Sequence, residues 1–360
     1  MGDIVRISID DVRAAPKVLL HDHLDGGLRP STVIELGDAV GHALPSTDAT
    51  ELHRWFIRGA TSLDILQYLE TFAHTVGVMQ TADAIERVAY EAALDLAADG
   101  VVYAELRFAP EQHQERDLAL DAVMEAALAG FRRGERAAPR PIVVNTIVCA
   151  MRTATRSEEI VDLALRWRER DDHVVAFDIA GAETGWPPSL HANAFRRARH
   201  EQLHITVHAS EPPDRELIAD ALAHGAERIG HGVRITADID RRDPTEWRLG
   251  RLARSVLERG IHLEMAPSCH VHVGAVASFD RHPIAELLRQ GFSVGVNTDN
   301  RLMSDVSVSS EVHRVANTFA LTWHEVGQLQ RHAMRSSFAS WELRRHLLDD
   351  VLTPAYASAR

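Results

Sequence analysis

Short apolar runs rich in β-branched residues recur along the chain, and stretches with the apolar spacing of helices separate them. Eight of these runs predict buried strands, at residues 17–24, 101–109, 142–151, 174–181, 204–211, 228–235, 261–268 and 292–300. Strands that are apolar on both faces and alternate with helices are typical of a parallel sheet covered by helices. Eight strands are the number that closes a (β/α)8 TIM barrel, so we predict an α/β fold of this type.

A single barrel domain over residues 1–360 agrees with the chain length, because α/β barrels of this size occur as one domain. The alternative is an open doubly wound sheet. It is less favoured because no GxGxxG or GxxxxGK(S/T) segment follows a predicted strand.

Two connections are longer than a barrel requires. Residues 25–100 separate the first two strands, and a helical pattern covers residues 62–91 of that connection. The apolar positions of this pattern include Leu63, Leu66, Leu69 and Phe72. Such helices either cover the top face of a barrel as a lid or pack as outer helices. Near the other end, Thr322-Trp-His-Glu325 is a capping-box sequence, and we predict a closing helical tail over residues 311–352.

The amino-acid composition restricts the possible classes of function more than it restricts the fold. Of the 360 residues 45% are hydrophobic, and the formal net charge of −13 argues against nucleic acids or anionic membranes as partners. The two cysteines, Cys149 and Cys269, are too few for a disulfide framework. The first residues lack the pattern of a signal peptide, and no apolar run has the length of a membrane span. We therefore expect a cytoplasmic protein.

The ends of the predicted strands carry the unusual polar residues. His21 and His23 end the first strand, where residues i and i+2 point the same way. Both imidazoles are therefore expected to face the barrel lumen, while Asp22 faces outward. Two neighbouring imidazoles suit a divalent metal better than two cations, although a pair of hydrogen-bonded core histidines is the alternative.

A third imidazole and a carboxylate follow at other strand ends. His208 ends the fifth strand and Asp299 the eighth, and the C-terminal strand ends of a barrel meet on one face. Three neutral imidazoles and one carboxylate leave room for a water on Zn²⁺, as in catalytic zinc sites. Zinc lowers the pKa of such a water toward neutrality, so we predict one zinc ion per chain. Considered alone, each of His208 and Asp299 is equally compatible with an ordinary buried polar residue that is hydrogen-bonded within the core.

Three further residues near these ends suit supporting roles. Glu211 can donate a proton to a ring nitrogen if burial raises its pKa, although a glutamate before a helix is the alternative. His231 lies between two glycines and can orient or deprotonate the water. Glu264 can orient a histidine, although a buried, hydrogen-bonded glutamate is the ordinary interpretation.

The lysine count excludes other barrel chemistries. Lys17 is the single lysine, and it is the first residue of the first predicted strand, at the end of the barrel opposite the site. A two-metal centre bridged by a carboxylated lysine and a Schiff-base mechanism are both excluded. The HxE and PCxxC pattern of cytidine deaminases is also absent.

Five segments at these strand ends occur in a recognisable order. They are Leu20-His-Asp-His-Leu-Asp-Gly26, Asp178-Ile-Ala-Gly181, His208-Ala-Ser-Glu211, Ile229-Gly-His-Gly232 and Asn297-Thr-Asp299. They resemble the HxHLDG, D(L/I)AG, HAGE, IGHG and NTDD motifs of the adenosine deaminase family, and the resemblance covers nearly the whole chain. It implies the zinc-dependent hydrolysis of adenosine or 2′-deoxyadenosine to the inosine nucleoside and ammonia.

The resemblance also implies a role for each site residue. The zinc ligands would be His21, His23, His208 and Asp299. Glu211 would protonate purine N1 while hydroxide attacks C6, and His231 would steer the hydroxide. Gly181 would present its backbone N–H to purine N3, and Asp25 would accept a hydrogen bond from a ribose hydroxyl.

Three positions depart from the family pattern. Ser210 replaces the glycine of HAGE. Asn300 replaces the second aspartate of NTDD, which contacts purine N7, and an amide can donate to N7 at any pH. Pro267-Ser-Cys-His270 differs from the usual PxSN or PxSS segment and leaves the fine specificity open.

These departures keep other functions open. Cys269 and His270 favour a deaminase of a modified adenine nucleoside, such as aminodeoxyfutalosine or a secondary metabolite. A catalytically silent nucleoside-binding protein is less compatible with the presence of every proposed ligand together with Glu211 and His231. We expect a purine nucleoside as the small-molecule partner, while the sequence leaves the oligomeric state and any lid movement undecided.

Overall fold

The computed structural model describes residues 6–62, 65–242 and 247–357. The strands are β1 (Lys17–His23), β2 (Val101–Phe108), β3 (Val143–Met151), β4 (Val174–Ala180), β5 (His204–Ala209), β6 (Arg228–His231), β7 (Ile239–Asp240), β8 (Arg248–Leu249), β9 (His262–Met265) and β10 (Val294–Val296). Eight of them form one parallel sheet in the order β1-β2-β3-β4-β5-β6-β9-β10, and β7 and β8 form a separate antiparallel pair. The predicted eight-stranded α/β barrel is therefore confirmed.

Helices occupy most of the connections between strands. They are α1 (Ile9–Ala14), α2 (Pro30–Val40), α3 (Ala49–Ala60), α4 (Ile65–Val78), α5 (Ala82–Ala98), α6 (Leu120–Ala137), α7 (Ser157–Arg168), α8 (Ala192–His200), α9 (Glu216–Ala223), α10 (Arg251–Glu258), α11 (Pro267–His272), α12 (Ile284–Arg289), α13 (Arg301–Ser304), α14 (Val308–Thr318), α15 (Trp323–Ser336), α16 (Trp341–His346) and α17 (Thr353–Ala355). A π-helical turn (Leu347–Leu352) joins the last two helices.

Hydrogen bonds close the seam between the first and last strands. The backbone N–H of His23 donates to the Asp299 carbonyl at 2.7 Å, and the Asp299 N–H donates to the His21 carbonyl at 3.0 Å. Lower in the seam, Asn297 Oδ1 accepts from the backbone N–H groups of Leu20 and His21, each at 3.0 Å. The seam therefore places the end of β1 directly against the segment that follows β10.

The strand positions agree with the sequence prediction, but the predicted boundaries extend too far. The runs ending at residues 211, 235, 268 and 300 leave the sheet at Ala209, His231, Met265 and Val296. At Ser210, His231 and Asp299 the backbone takes positive φ values of 76°, 66° and 58°. Such a left-handed residue ends an extended strand, and no apolar pattern signals it.

The connection after β1 contains two helices where the sequence pattern predicted one over residues 62–91. Helix α4 ends at Val78, and Thr81 starts α5 by accepting a hydrogen bond from the Ala84 N–H at 3.2 Å. Phe72 is partly buried against the core. Leu63 and the side chains of Leu66 and Leu69 lie outside the described residues.

The C-terminal helical tail starts slightly earlier than predicted, at Val308, and continues to Ala355. The predicted capping box is confirmed, because Thr322 and Glu325 each bond the backbone N–H of the other. Gln330 on α15 accepts a hydrogen bond from the Val18 N–H at 2.9 Å, which ties the tail to β1. Within the described part of the chain, every helix is too short or too polar to span a membrane.

Candidate metal and active site

Four side chains predicted to hold a metal converge at the C-terminal end of the barrel lumen. The Nε2 atoms of His23 and His208 lie 3.1 Å apart. Asp299 Oδ1 lies 3.2 Å from His21 Nε2 and 3.4 Å from His23 Nε2. One ligand atom from each of the four residues falls within 4.8 Å of all the others. The strand ends thus bring together the complete predicted ligand set.

Two buried carboxylates set the orientation of two of these histidines. His21 Nδ1 lies 3.0 Å from Glu264 Oε2, and His208 Nδ1 lies 2.8 Å from Asp178 Oδ2. Arg107 joins the carboxylates, since its Nη1 donates to Asp178 at 2.7 Å and its Nη2 donates to Glu264 at 2.7 Å. Because the ionised carboxylates accept from Nδ1–H, each histidine directs an unprotonated Nε2 into the cluster.

The protonation states of two of these histidines suit a metal, whereas for His21 burial opposes protonation but the contacts with Asp299 and Glu264 raise the pKa. Burial lowers the pKa of His208, and it lowers the pKa of His23 well below its usual value. Although burial opposes ionisation of Asp178, His208 and Arg107 lower the pKa of its carboxyl to about 2. His21 Nε2 is buried and makes no well-directed hydrogen bond, although Asp299 Oδ1 lies 3.2 Å away. Imidazole nitrogens that face one another with free lone pairs are stabilised by a shared cation, so this donor set fits a divalent metal.

The charges of the buried side chains in the lumen also favour a bound divalent metal. Arg228 extends the ion-pair network, with Nε 2.7 Å from Glu264 Oε1 and Nη2 2.5 Å from Glu105 Oε2. The network and the cluster together contain the carboxylates of Glu105, Asp178, Glu264 and Asp299 and the guanidinium groups of Arg107 and Arg228. All of these side chains are buried. Within this set the carboxylates exceed the guanidinium groups by two, a charge that a divalent cation would neutralise.

Glu211 and His231 lie beside the metal cluster. Glu211 Oε1 is 3.6 Å from His231 Nε2, and both residues offer an atom within 4.8 Å of Asp299. Burial raises the pKa of Glu211 well above its usual value, and the neighbouring Glu183 raises it further. Glu183 accepts hydrogen bonds from the backbone N–H groups of Ser210 at 2.6 Å and Glu211 at 3.2 Å. The site therefore contains a carboxyl group that favours its protonated form.

Cys269 and His270, which the sequence analysis treated as one specificity feature, occupy different places. Cys269 Sγ lies 2.8 Å from Asp299 Oδ2 and 3.9 Å from Glu211 Oε1, inside the site. His270 is completely buried, and its Nε2 lies 3.1 Å from His231 Nδ1, on the side of His231 opposite the nitrogen that faces Glu211. His270 therefore lies behind His231, whereas Cys269 lies beside the metal cluster.

The three residues expected to contact substrate follow the ends of three strands, β1, β4 and β10. Asp25 follows β1, its Oδ1 is buried without a hydrogen-bond partner, and burial raises its pKa to about 7. Gly181 follows β4 with φ of +99°, a conformation that favours glycine. Asn300 follows Asp299, and its Nδ2 donates to the hydroxyl of Tyr68 at 2.8 Å. Tyr68 is on α4, so the extra helices do cover this end of the barrel.

Sequence analysis missed several residues that shape the site. Arg107 and Glu105 alternate within the apolar run of β2, and two charges with a spacing of two in a buried strand could have indicated the lumen network. Glu183, Tyr68 and His282 lie in loops or helices without any such pattern. Asp22, expected to face outward, does point away from the metal cluster, but it is buried and accepts from Arg301 Nε at 3.0 Å.

Comparisons with known proteins agree with this geometry. A family model described as adenosine deaminase matches residues 16–354. The adenosine deaminase of Mycobacterium ulcerans (strain Agy99) is 50% identical over 355 residues, which cover 97% of this chain and 98% of that protein. The adenine deaminase structure from Arthrobacter aurescens has a TM-score of 0.84 at 25% identity and covers 96% of this chain and 100% of that one. An amidohydrolase from Burkholderia ambifaria, solved with bound zinc, has a TM-score of 0.82 at 21% identity, covering 99% and 95% of the two chains, a likeness of fold.

Replacing Arg107 with methionine should lower the free energy of unfolding by about 3–5 kcal/mol, because it leaves two buried carboxylates without their shared cation. Urea denaturation of the purified variant measures the change. Arg133→Met is the matched control, since Arg133 forms an ion pair with Glu86 at the surface. Its loss should cost less than about 1 kcal/mol. Equal effects of the two substitutions would contradict the structural role given to Arg107.

Proposed function

The chain belongs to the adenosine deaminase family, and we propose that it hydrolyses the 6-amino group of adenosine and 2′-deoxyadenosine with one bound zinc ion. As a member of this family, the protein is a hydrolase that deaminates adenine compounds. The products would be inosine or 2′-deoxyinosine and ammonia. The observation that carries the proposal is the convergence of His21, His23, His208 and Asp299 next to Glu211 and His231.

The ligand set supports zinc. Three imidazole nitrogens and one carboxylate oxygen match the preferences of Zn²⁺ and leave a position open for water. A bound zinc ion would supply the nucleophile near neutral pH by lowering the pKa of that water. Asp178 and Glu264 would keep His208 and His21 oriented toward the ion through their Nδ1 atoms.

Glu211 would act as the general acid. Its carboxyl group favours the protonated form because it is partly buried and lies near Glu183 and Asp299. It would donate its proton to purine N1, which makes C6 more electrophilic and allows addition of water. The proton on N1 would stay in the product, while the hydroxyl group added to C6 would lose its proton to the amino group, which would leave as ammonia.

The remaining residues would orient the purine. Gly181 would donate its backbone N–H to N3, and the absence of a side chain allows the ring to approach. The Asn300 amide has two N–H groups, of which one reaches Tyr68 and the other would donate to N7. His231 would orient the attacking oxygen, since it lies beside Asp299 and Glu211.

Asp25 supports a nucleoside over a free base. Its buried Oδ1 has no hydrogen-bond partner within the described residues, and a ribose hydroxyl would provide one. Asp25 lies two residues beyond His23, so the sugar would sit close to the metal. A cap of the turn that follows His23 is the alternative role for this carboxyl.

A modified adenine nucleoside remains the second candidate substrate, and one observation favours it. Cys269 lies between Asp299 and Glu211, where the family motif has serine, so the thiol changes the surface that meets the reacting group. A panel of 6-aminopurines assayed for ammonia release with zinc-loaded protein separates the candidates. Activity on a modified nucleoside with little on adenosine would favour this second substrate.

We expect one tightly bound zinc ion per chain, and we expect His208→Ala to lose both metal and activity because one of four ligands is removed. Elemental analysis by plasma mass spectrometry measures the metal. His113→Ala is the control, since His113 is also buried but bonds the Met79 carbonyl outside the cluster. Two metals per chain, or none after gentle purification, would contradict the proposed site.

Glu211→Gln should retain zinc and fold while kcat falls by about 10²–10⁴-fold, because an amide cannot act as an acid toward N1. In the unmodified protein the acid works while protonated, so kcat should decline as pH rises through the raised pKa of Glu211. Glu216→Gln, at the exposed start of α9, is the control. A loss smaller than tenfold in Glu211→Gln would rule out the acid role.

Adenine should be deaminated with a kcat/KM at least ~10²-fold below that of adenosine, because the free base leaves the buried Asp25 carboxyl unpaired. Steady-state kinetics on both substrates measure the ratio. Asp25→Ala should narrow this gap by weakening adenosine turnover. Comparable values for the two substrates would refute the nucleoside proposal, and an unchanged gap in the variant would refute the ribose contact.

A further inference from the structure

We propose that His282 and His270 hold His231 in a single tautomer, so that His231 donates a hydrogen bond into the site from Nε2. We call His282, His270 and His231 the histidine relay. It deepens the proposed function, on which the catalytic meaning of His231 rests. His282 and His270 are positioning residues, because they act on the reaction through His231.

The relay begins at a backbone donor. The N–H of Ile284 donates to His282 Nδ1 at 3.2 Å. Ile284 is the first residue of α12, and the first N–H groups of a helix have no partner within it. A backbone N–H can only donate, so His282 Nδ1 must be unprotonated. A neutral His282 therefore carries its proton on Nε2.

The proton position then passes from ring to ring. His282 Nε2 lies 2.9 Å from His270 Nδ1, and the two rings are stacked with an interplanar angle of 8°. His270 accepts at Nδ1 and so carries its own proton on Nε2. That atom lies 3.1 Å from His231 Nδ1 and donates to it. His231 consequently has an unprotonated Nδ1 and a protonated Nε2.

The alternative arrangement, in which each of the three rings carries its proton on Nδ1, is unfavourable. If every ring carried its proton on Nδ1, the Nδ1–H of His282 would face the N–H of Ile284 at 3.2 Å. The Ile284–His282 hydrogen bond would then be lost, and two N–H donors would face each other in a buried place without an acceptor. A doubly protonated ring is also disfavoured. Burial lowers the pKa of His270 to about 3 and those of His231 and His282 well below the usual value.

The tautomer decides what His231 can do. Its Nε2–H points toward Glu211, whose Oε1 lies 3.6 Å away, and toward the metal cluster, since its ring centroid is 4.8 Å from that of His21. A protonated nitrogen donates to an oxygen and cannot accept a proton from it. His231 therefore orients the attacking oxygen by donation, and the base role considered for it in the sequence analysis is excluded in this tautomer.

Two substitutions at residue 282 separate the relay from simple packing. In His282→Asn the short amide can still accept from Ile284 N–H but cannot reach His270. In His282→Gln the longer amide can donate from Nε2 to His270 Nδ1. We expect His282→Asn to lower kcat at least ~10-fold with KM changed less than about threefold, and His282→Gln to restore most of the loss. His262→Asn is the matched control, because it truncates a buried histidine at the start of β9, away from the site.

A spectroscopic measurement reads the tautomer without relying on activity. Long-range 1H–15N correlation spectra of the full zinc-loaded chain, labelled at histidine and assigned with a His231→Gln variant, distinguish protonated from unprotonated ring nitrogens. We expect protonated Nε2 for His231 in the unmodified protein and in His282→Gln, and a second tautomer in His282→Asn. A protonated Nδ1 in the unmodified protein, or equal behaviour of His282→Asn, His282→Gln and His262→Asn, would overturn the proposal. A protein without deaminase activity would contradict the proposed function but leave the spectra decisive for the relay.

Discussion

The double ion pair of Arg107 is the constraint on which the rest of the site depends. The guanidinium group is completely buried in the lumen and holds Asp178 with one nitrogen and Glu264 with another. Each carboxylate in turn fixes one histidine of the metal cluster through Nδ1. A buried guanidinium costs several kcal/mol of desolvation unless it is fully paired. The positions of the carboxylates, and hence of both imidazoles, are therefore coupled through one side chain. The same guanidinium donates to the Leu20 carbonyl at 2.6 Å, which adds the backbone of β1 to this arrangement.

The backbone is strained near the ends of several strands, next to the ion pairs of the barrel lumen. A non-glycine residue with positive φ costs roughly 1–2 kcal/mol, and Ser210, His231 and Asp299 all adopt it at the site. Each is held by hydrogen bonds from its surroundings. The Asp299 backbone bonds β1 across the seam, and the Ser210 N–H bonds Glu183. A glycine, as in the HAGE motif, suits this conformation, and here Ser210 adopts it with its backbone N–H bonded to Glu183. These left-handed residues lie at or just after the ends of β5, β6 and β10, beside the metal cluster.

Much of the architecture could be predicted because its signals are periodic or local. Eight buried runs gave the barrel, the spacing of His21 and His23 gave two imidazoles on one side of a strand, and a four-residue capping box gave the start of α15. The network around Arg107 could not be predicted in the same way. Its partners are separated by 71 and 157 residues along the chain, and a strand pattern gives no lateral distance. His282 was missed for a similar reason, since its place behind His270 depends on how the segment after β9 folds back on itself. The ends of the strands were misjudged because left-handed residues interrupt them without a change in hydrophobicity.

The four histidines of the site show how one residue type serves two opposite purposes. Behind His21 and His208 stands a buried carboxylate, which accepts from Nδ1–H and leaves Nε2 as a lone pair for a cation. Behind His231 stands another histidine, which donates to Nδ1 and leaves Nε2 as a donor. Because all three rings are deeply buried, no solvent competes to reverse either choice. The neighbouring groups therefore divide the rings into metal ligands and a hydrogen-bond donor, although the rings lie within 5.2 Å of each other. A site built only from inward-pointing histidines would not have this division; it depends on the carboxylates and on the backbone N–H of Ile284 that lie behind them.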